Sequence, residues 1–412
     1  MLTKSKYMAG LQCPKYLWFL FNDPDKIQPT DIATQHRFDE GHQVGELAKL
    51  LFPDGISIPT DNFIGNINQT KNLLKQRRIL FEPAFSIDNL YSRLDMLIPA
   101  DNDQWDIVEV KMSTEVKDEH IPDVAFQRFC CEKGGLTIRN SSIAFINNKF
   151  TRHGEIDPKQ LFLVEDVTPR VNDSIAGIAN QVKHMFDIIS ELKCPDVPVG
   201  IYCNDPNDCP VNFCRESVPD NTILALYYAG KKKYELFNQG IYFIKDIPAG
   251  YKLTKSQQIQ QECERAGQTH IDKEAIKAFL DDLKYPVYYL DFETFNPAIP
   301  MFDNSRPYQQ IPFQFSLHVV ETERAEPAHR SYLADGTGDP RPELLAELRN
   351  LLGDRGSIIV YNQTFEKKVL EQFGEAFPES GSWAKAVIDR IVDLYVPFRS
   401  FCYYNPRQKG SA

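Results

Sequence analysis

A chain of 412 residues is long enough for two or three domains with ordinary cores. With 42% hydrophobic and 25% charged residues it belongs with globular proteins, not with disordered or fibrous ones. A formal net charge of −11 argues against a protein that coats nucleic acid by bulk electrostatics, though not against an enzyme with a local basic groove. There is no run of about 18 apolar residues, so no spanning helix is expected. The opening MLTKSKYMAGLQCPKYLWFLF pairs basic residues with an apolar patch. Pro14 and Lys15 interrupt that patch and no small-residue cleavage site follows, so a signal peptide is not expected. Nine cysteines, an odd and unevenly spread number, favour metal or redox chemistry over a disulfide framework, and with it a cytoplasmic protein.

Leu2 to Asn22 reads as a short helix capped by Thr3 or Ser5, with Cys13-Pro14 inside it. Asp31 to Phe52 is amphipathic, with Val44, Leu47, Ala48 and Leu51 on one face, and carries His42. A lone helical histidine is more often solvated or packed than a ligand. Thr60 to Gln76 reads as another helix, and Ile79 to Phe85 as a strand containing Glu82.

The stretch Tyr91 to Thr114 reads as a hairpin. Its first strand, Ser92 to Ile98, carries Asp95 among apolar residues. Ala100-Asp101-Asn102-Asp103 supplies turn formers. In the second strand, Trp105 to Met112, Glu109 and Lys111 are two apart and so share a face. Two carboxylates and an ammonium converging on one spot are costly unless a cation joins them, and hard oxygen ligands suit Mg²⁺. A divalent ion held by Asp95 and Glu109 would polarise a phosphate, with Lys111 orienting or activating the attacking water. The bland alternative is an exposed hairpin with polar residues facing solvent. Pro122 to Lys133 then reads as a helix carrying Gln127 and Cys131. Ser141 to Asn147 and Gln160 to Val164 read as strands, and Asn172 to Leu192 as a long helix. This order suits a mixed α/β sheet.

The D…E-x-K arrangement resembles the PD-(D/E)xK nuclease core in its RecB-like branch. The resemblance implies Asp95 and Glu109 as metal ligands, Lys111 as catalytic, and Gln127 as the supporting glutamine of the following helix, with Cys131 where that branch often has Tyr. Its G-x-x-x-H histidine has no match, because Gly41 is followed four residues later by Gly45.

Cys203, Cys209 and Cys214 follow in IYCNDPNDCPVNFCRE, among prolines and turn formers. Three thiols in a loop are placed to wrap one metal centre, and Fe–S clusters usually take four thiolates. Cys194 or Cys13 can supply the fourth. The choice of Cys13 resembles the iron–sulfur RecB-like nucleases, including CRISPR-associated exonucleases and AddB-type helicase-nucleases. That likeness implies a [4Fe–4S] cluster on Cys13, Cys203, Cys209 and Cys214, stapling the two ends of the domain. Zinc is the competing ion. Cys130, Cys131, Cys263 and Cys402 read as incidental thiols.

From Ser217 the texture changes. The run Leu236…Gly240-Ile241…Ile244…Ile247-Pro248 resembles a helix-hairpin-helix, with Lys231, Lys232 and Lys233 beside it. Such a hairpin offers backbone N–H groups to phosphates. Lys255 to Lys284 reads as a helical connector.

YPVYYLDFETF then begins a second core. Val287 to Leu290 reads as a strand ending in Asp291-x-Glu293. Ser357 to Tyr361 reads as a second strand leading into NQTFEKKVLEQF, with Asn362 as helix cap and Glu366 one turn in. These residues resemble the DEDD exonucleases of the DnaQ-like, ribonuclease H-like kind. The likeness implies metal ligation by Asp291, Glu293 and Glu366, and a structural role for Asp393. The third motif of that family is not visible before Gly410-Ser411-Ala412, so the domain is expected to be incomplete at its C-terminus.

The expected fold class is therefore α/β: a RecB-like core with an Fe–S staple over residues 1–216, a helical connector over 217–284, and a ribonuclease H-like domain over 285–412. The whole resembles a bacterial family that fuses the two nuclease types. The expected function is Mg²⁺- or Mn²⁺-dependent hydrolysis of single- or double-stranded DNA, in repair or in defence against foreign DNA, with no membrane partner. The alternatives are a 3′–5′ exonuclease on DNA or RNA using the second core, and a non-catalytic iron–sulfur nucleic-acid-binding protein.

Overall fold

The computed structural model describes residues 1–59, 62–211, 214 and 222–408. It divides into two compact units, Met1–Ser217 and Val218–Ala412, each of mixed α/β construction. The expected connector clusters with the residues after it. The expected boundary at residues 216–217 lies outside the described residues, as do the helix start at Thr60 and the end of the chain at Gly410.

In the first unit, β1 (Leu2–Thr3) leads into α1 (Lys4–Gln12) and α2 (Pro14–Asn22). The single helix expected over Leu2 to Asn22 is thus two. Proline cannot continue a helix and forces the residue before it out of the helical region. Cys13 accordingly takes φ −159°, and Pro14 starts α2 at the position where a missing N–H costs nothing. The Thr3 hydroxyl accepts the Lys6 N–H and caps α1. Next come α3 (Ile32–Lys49), which leaves His42 exposed, β2 (Ile56–Ser57) and α4 (Phe63–Leu74).

The strand expected from Ile79 to Phe85 and the one expected from Ser92 to Ile98 are each broken in two. They form β3 (Leu80–Phe81), β4 (Ala84–Ile87), β5 (Leu90–Arg93) and β6 (Met96–Pro99). The breaks face each other. Glu82 sits at φ 56° before Pro83, its N–H donates to the Asp95 carbonyl at 2.9 Å, and Leu94 N–H donates to the Pro83 carbonyl at 3.1 Å. The ribbon turns a corner here. β4 and β5 join β1 in a three-stranded sheet, while β3 and β6 enter a six-stranded sheet of order β2-β3-β6-β7-β8-β9. Asp95 is therefore a corner residue and not a strand residue.

The turn into β7 (Gln104–Lys111) has Asn102 and Asp103 at φ 55° and 58°. This is the primed geometry whose twist matches a tight hairpin. α5 (His120–Lys133) crosses over to β8 (Thr137–Ile146), which runs parallel to β7. α6 (Pro158–Leu161), β9 (Phe162–Asp166) and α7 (Thr168–Ser190) complete the unit. Tyr7 of α1 stacks on Phe126 of α5, ring centres 4.5 Å apart, so the N-terminal helix is fixed against the helix that follows β7.

The second unit starts with a small core of Ile223, Leu226, Leu236, Ile244 and Ile247 around α8 (Lys232–Asn238). In place of the expected helical hairpin there is one seven-residue helix between two 3₁₀ turns. α9 (Lys255–Ala266) holds those turns through buried glutamines: Gln260 donates to the Ala225 carbonyl at 3.0 Å and Gln261 to that of Ile247 at 2.8 Å. β10 (His270–Ile271) and α10 (Lys273–Asp281) follow.

Then come β11 (Val287–Phe295), β12 (Ile311–Val320), β13 (Ala328–Leu333), α11 (Arg341–Leu351), β14 (Ile358–Val360), α12 (Thr364–Ala376), α13 (Gly381–Ile388) and β15 (Ile391–Asp393). α14 (Val396–Arg399) and β16 (Tyr403–Tyr404) close the described fold, β16 pairing with β10. The five-stranded sheet has the order β13-β12-β11-β14-β15. Its first three strands are antiparallel neighbours, and its last two run parallel to β11. Gly356, at φ 90°, enters β14 where any Cβ would meet the Pro286 carbonyl oxygen. Among the described residues no helix is long and apolar enough to cross a membrane.

Candidate active sites

The corner at Asp95 aims its carboxylate at β7, where Oδ2 accepts the Val110 N–H at 2.7 Å. Glu109, alternating out of the same strand, is 1% exposed. Its Oε1 accepts from Lys111 Nζ at 2.8 Å and Lys4 Nζ at 2.9 Å, and its Oε2 from Gln127 Nε2 at 2.7 Å. Gln127 also donates to Asp123 Oδ1 at 3.0 Å, and Lys111 donates to Asp123 Oδ2. Lys4 lies 3.5 Å from Asp123 Oδ1. The four residues expected here, Asp95, Glu109, Lys111 and Gln127, thus meet at one place, joined by Lys4 and Asp123.

Burial by itself pushes the Glu109 carboxyl up, but the Lys111 and Lys4 ammoniums more than offset it, leaving the group well below the usual carboxylate range. Asp95 goes the other way: burial, then the charge on Glu109, pushes its carboxyl well above that range. Lys4 and Lys111 are held protonated, because the surrounding carboxylates outweigh the burial that would lower them. His120, at the start of α5, is lowered to about 4 by burial and then by Lys111 and Lys117, so it is neutral at pH 7.

The cysteines expected to act together line one cavity. Cys13, Cys203, Cys209 and Cys214 share it with Lys15, Tyr16, Pro198 and Tyr202. The loop that carries three of them is tied to the N-terminal helices. Gln12 donates to the Tyr202 and Asn207 carbonyls at 2.9 and 2.7 Å, Lys15 donates to the Val197 carbonyl at 3.2 Å, and Cys209 N–H donates to the Cys203 carbonyl at 2.9 Å. Burial pushes the Cys13 and Cys209 thiols up.

In the second unit, β11 does not end at Asp291 but runs on to Phe295, and Asp291 and Glu293 stand together on its exposed face. Asn362 is not the helix cap. It turns the chain at φ 65°, and Gln363 takes the cap position before α12. Glu366 lies in the first turn of α12, 3% exposed, and its Oε2 has no hydrogen-bond partner. Asp393, at the end of β15, accepts the Asn362 and Tyr395 N–H groups on Oδ1 at 2.9 and 3.0 Å. Its buried Oδ2 makes no hydrogen bond, and Arg399 lies 3.8 Å away. Burial, followed by the charges of Asp291 and Asp393, pushes the Glu366 carboxyl up to about 7.

Residues 288–412 match a family described as a domain of unknown function, DUF2779. The matched segment covers Asp291, Glu293, Glu366 and Asp393, and is less than half of the chain. No curated protein matches the chain.

Among the described residues no group of three or more His, Cys, Asp or Glu side chains is arranged to hold a metal ion. The donor chemistry nevertheless suits cations at three places. Asp95 and Glu109 offer hard oxygens, and a divalent ion would favour ionisation of the Asp95 carboxyl, which burial and then the charge of Glu109 raise. Glu366 and Asp393 each bury an oxygen without a hydrogen-bond donor. The four cavity cysteines offer sulfur donors of the kind that iron–sulfur clusters and zinc take, and burial raises the thiols of Cys13 and Cys209.

Sequence reading missed Lys4, Asp123 and His120. Asp123 had a local signal, since it lies four residues before Gln127 and so on the same helix face. Lys4 had none, being 105 residues from Glu109.

Proposed function

We propose that the chain is a Mg²⁺- or Mn²⁺-dependent DNA nuclease whose principal site is built on Asp95, Glu109, Lys111 and Gln127. The observation that carries this reading is the meeting of Asp95, at the β5–β6 corner, with Glu109 of β7, Lys111 and Gln127 both being bonded to Glu109. A solvated hairpin would not bury these groups together. A bound divalent ion would polarise the scissile phosphate. Gln127 fixes the Glu109 carboxylate by holding one oxygen. Lys111, kept protonated by Glu109 and Asp123, serves as a hydrogen-bond donor and fixed positive charge toward the reacting phosphate, and not as a base. On this reading the first unit is a RecB-like core, an iron–sulfur cluster on Cys13, Cys203, Cys209 and Cys214 staples its ends, and the protein works on DNA in the cytoplasm. The test is cleavage of single- and double-stranded DNA with Mg²⁺ by wild type and Lys111→Ala. Equal cleavage by the two rejects it.

A second reading is favoured by the donorless oxygens of Glu366 and Asp393 beside Asp291. The strand order β13-β12-β11-β14-β15, with three antiparallel strands and then two parallel ones, supports a ribonuclease H-like sheet. Under this reading the activity is 3′–5′ exonuclease on DNA or RNA, and Asp291→Ala abolishes it while Lys111→Ala does not. The non-catalytic reading of the iron–sulfur unit predicts nucleic-acid binding without turnover, unchanged by Glu109→Ala.

A further inference from the structure

Lys4 is placed as firmly as any residue of the first site. Leu2 is fully buried, its N–H donates to the Asn89 carbonyl at 2.8 Å, and β1 pairs with β5 through Leu2 and Thr3. Thr3 caps α1 and Tyr7 locks that helix to α5. The lysine therefore reaches Glu109 and Asp123 from a rigid element and not from a loose terminus.

Lys111 already bonds both acids, and Lys4 adds a second ammonium to the same Glu109 oxygen, where the two cations repel. An ammonium has three N–H donors. Lys4 has two carboxylate neighbours, Glu109 at 2.9 Å and Asp123 at 3.5 Å, and its side chain stays 26% exposed. With all three carboxylates ionised, as they would be around a divalent ion, Asp95, Glu109 and Asp123 against Lys4 and Lys111 leave one negative charge. A divalent ion turns this into one positive charge, which matches the single negative charge of a phosphodiester. Without Lys4 the loaded site would be neutral.

We propose that Lys4 is a second substrate-binding lysine of this site, its ammonium anchoring a non-bridging oxygen of the phosphodiester while Glu109 and Asp123 hold it in place. This rests on the nuclease reading above, and it makes the N-terminal helix part of the active site.

The test uses the full chain as wild type, Lys4→Met and Lys4→Arg, with two readouts. The first is oligonucleotide affinity in chelator, by fluorescence anisotropy over a range of salt. Loss of one phosphate contact lowers the log–log salt slope by about 0.7 for a single strand. Lys4→Met is expected to show that fall and Lys4→Arg to keep the wild-type slope. The second is cleavage with Mg²⁺, where Lys4→Met is expected to lower kcat/KM on the order of 10²-fold, as for removal of one donor aimed at developing charge. Should Lys4→Met not fold, Lys4→Gln, whose amide can still donate to Glu109, carries both measurements. A folded neutral variant with the wild-type salt slope and wild-type kcat/KM overturns the role of Lys4 and leaves the nuclease reading standing. A wild-type protein that cleaves no DNA with Mg²⁺ or Mn²⁺ removes that reading, and the role of Lys4 with it.

Discussion

The two units bury carboxylates in opposite ways. In the first, Glu109 and Asp123 are met by two ammoniums and an amide, so Glu109 stays ionised despite being sealed from water. In the second, Glu366 has no cation paired with it among the described residues and burial raises its carboxyl to about 7, while an oxygen of Asp393 accepts no hydrogen bond and has only Arg399 at 3.8 Å. The contrast teaches that burial alone does not set the state of an acid; the company it keeps does. The first cluster is arranged to hold charge in place, the second to receive it.

The sharpest way to break this comparison is Glu109→Ala against Asp291→Ala in one DNA-cleavage assay. On the nuclease reading Glu109→Ala is expected to lower kcat/KM by about 10³-fold or more, since it removes a proposed metal ligand and the oxygen that both lysines share, leaving them only Asp123. Loss of cleavage in Asp291→Ala, with Glu109→Ala active, would transfer the activity to the second unit.

Core truncations come next. Phe126 and Phe315 are both fully buried, one in each unit. Each change to Ala is expected to cost about 3–5 kcal/mol in denaturant unfolding. Two separate transitions, each moved by only one of the variants, would mark units that unfold independently.

The state of Glu366 gives a pH dependence. Its folded-state value of about 7 lies above its ordinary value of 4.5, so between these pH values the folded unit keeps a proton that the unfolded chain releases. Stability, measured in chelator, should therefore fall by about 3 kcal/mol as pH rises from 4.5 to beyond 7. Glu366→Gln should flatten that fall. An unchanged profile would mean that something else supplies the missing counter-charge.

The smallest effect separates local from shared roles. Thr3→Ala and Thr254→Ala each remove a helix cap, and each should cost about 1 kcal/mol. Only Thr3→Ala should also slow cleavage, because its helix carries Lys4. Equal loss of activity in both variants would point to general destabilisation. For the cysteine cavity, anaerobic purification should give a protein with broad visible absorption that Cys203→Ser loses. A colourless wild type that contains zinc would select the other ion.

Much of the first site was legible because its signals are local. Period-two alternation put Glu109 and Lys111 on one face, and the turn residues Asn102 and Asp103 set the hairpin that brings β6 beside β7. The helix after β7 carried Gln127 at a spacing that a single sequence can read. The exact frame of Asp95 was not legible, because the corner there depends on Glu82 and Pro83 across the ribbon. In the second unit β11 and β14 were readable as apolar runs, but the N–H partners of Asp393 were not, since they come from both sides of a contact between β15 and the end of β14.

The sequence by itself determined which residues could carry chemistry and on which elements they ride, because side-chain periodicity is a property of a few neighbouring residues. Only the tertiary structure decided which of them meet. Lys4 reaches Glu109 across 105 residues, and Cys13 shares a cavity with cysteines of the 203–214 loop. Such meetings are set by how helices and sheets pack to bury their apolar faces, and packing leaves no mark at any one position of the chain.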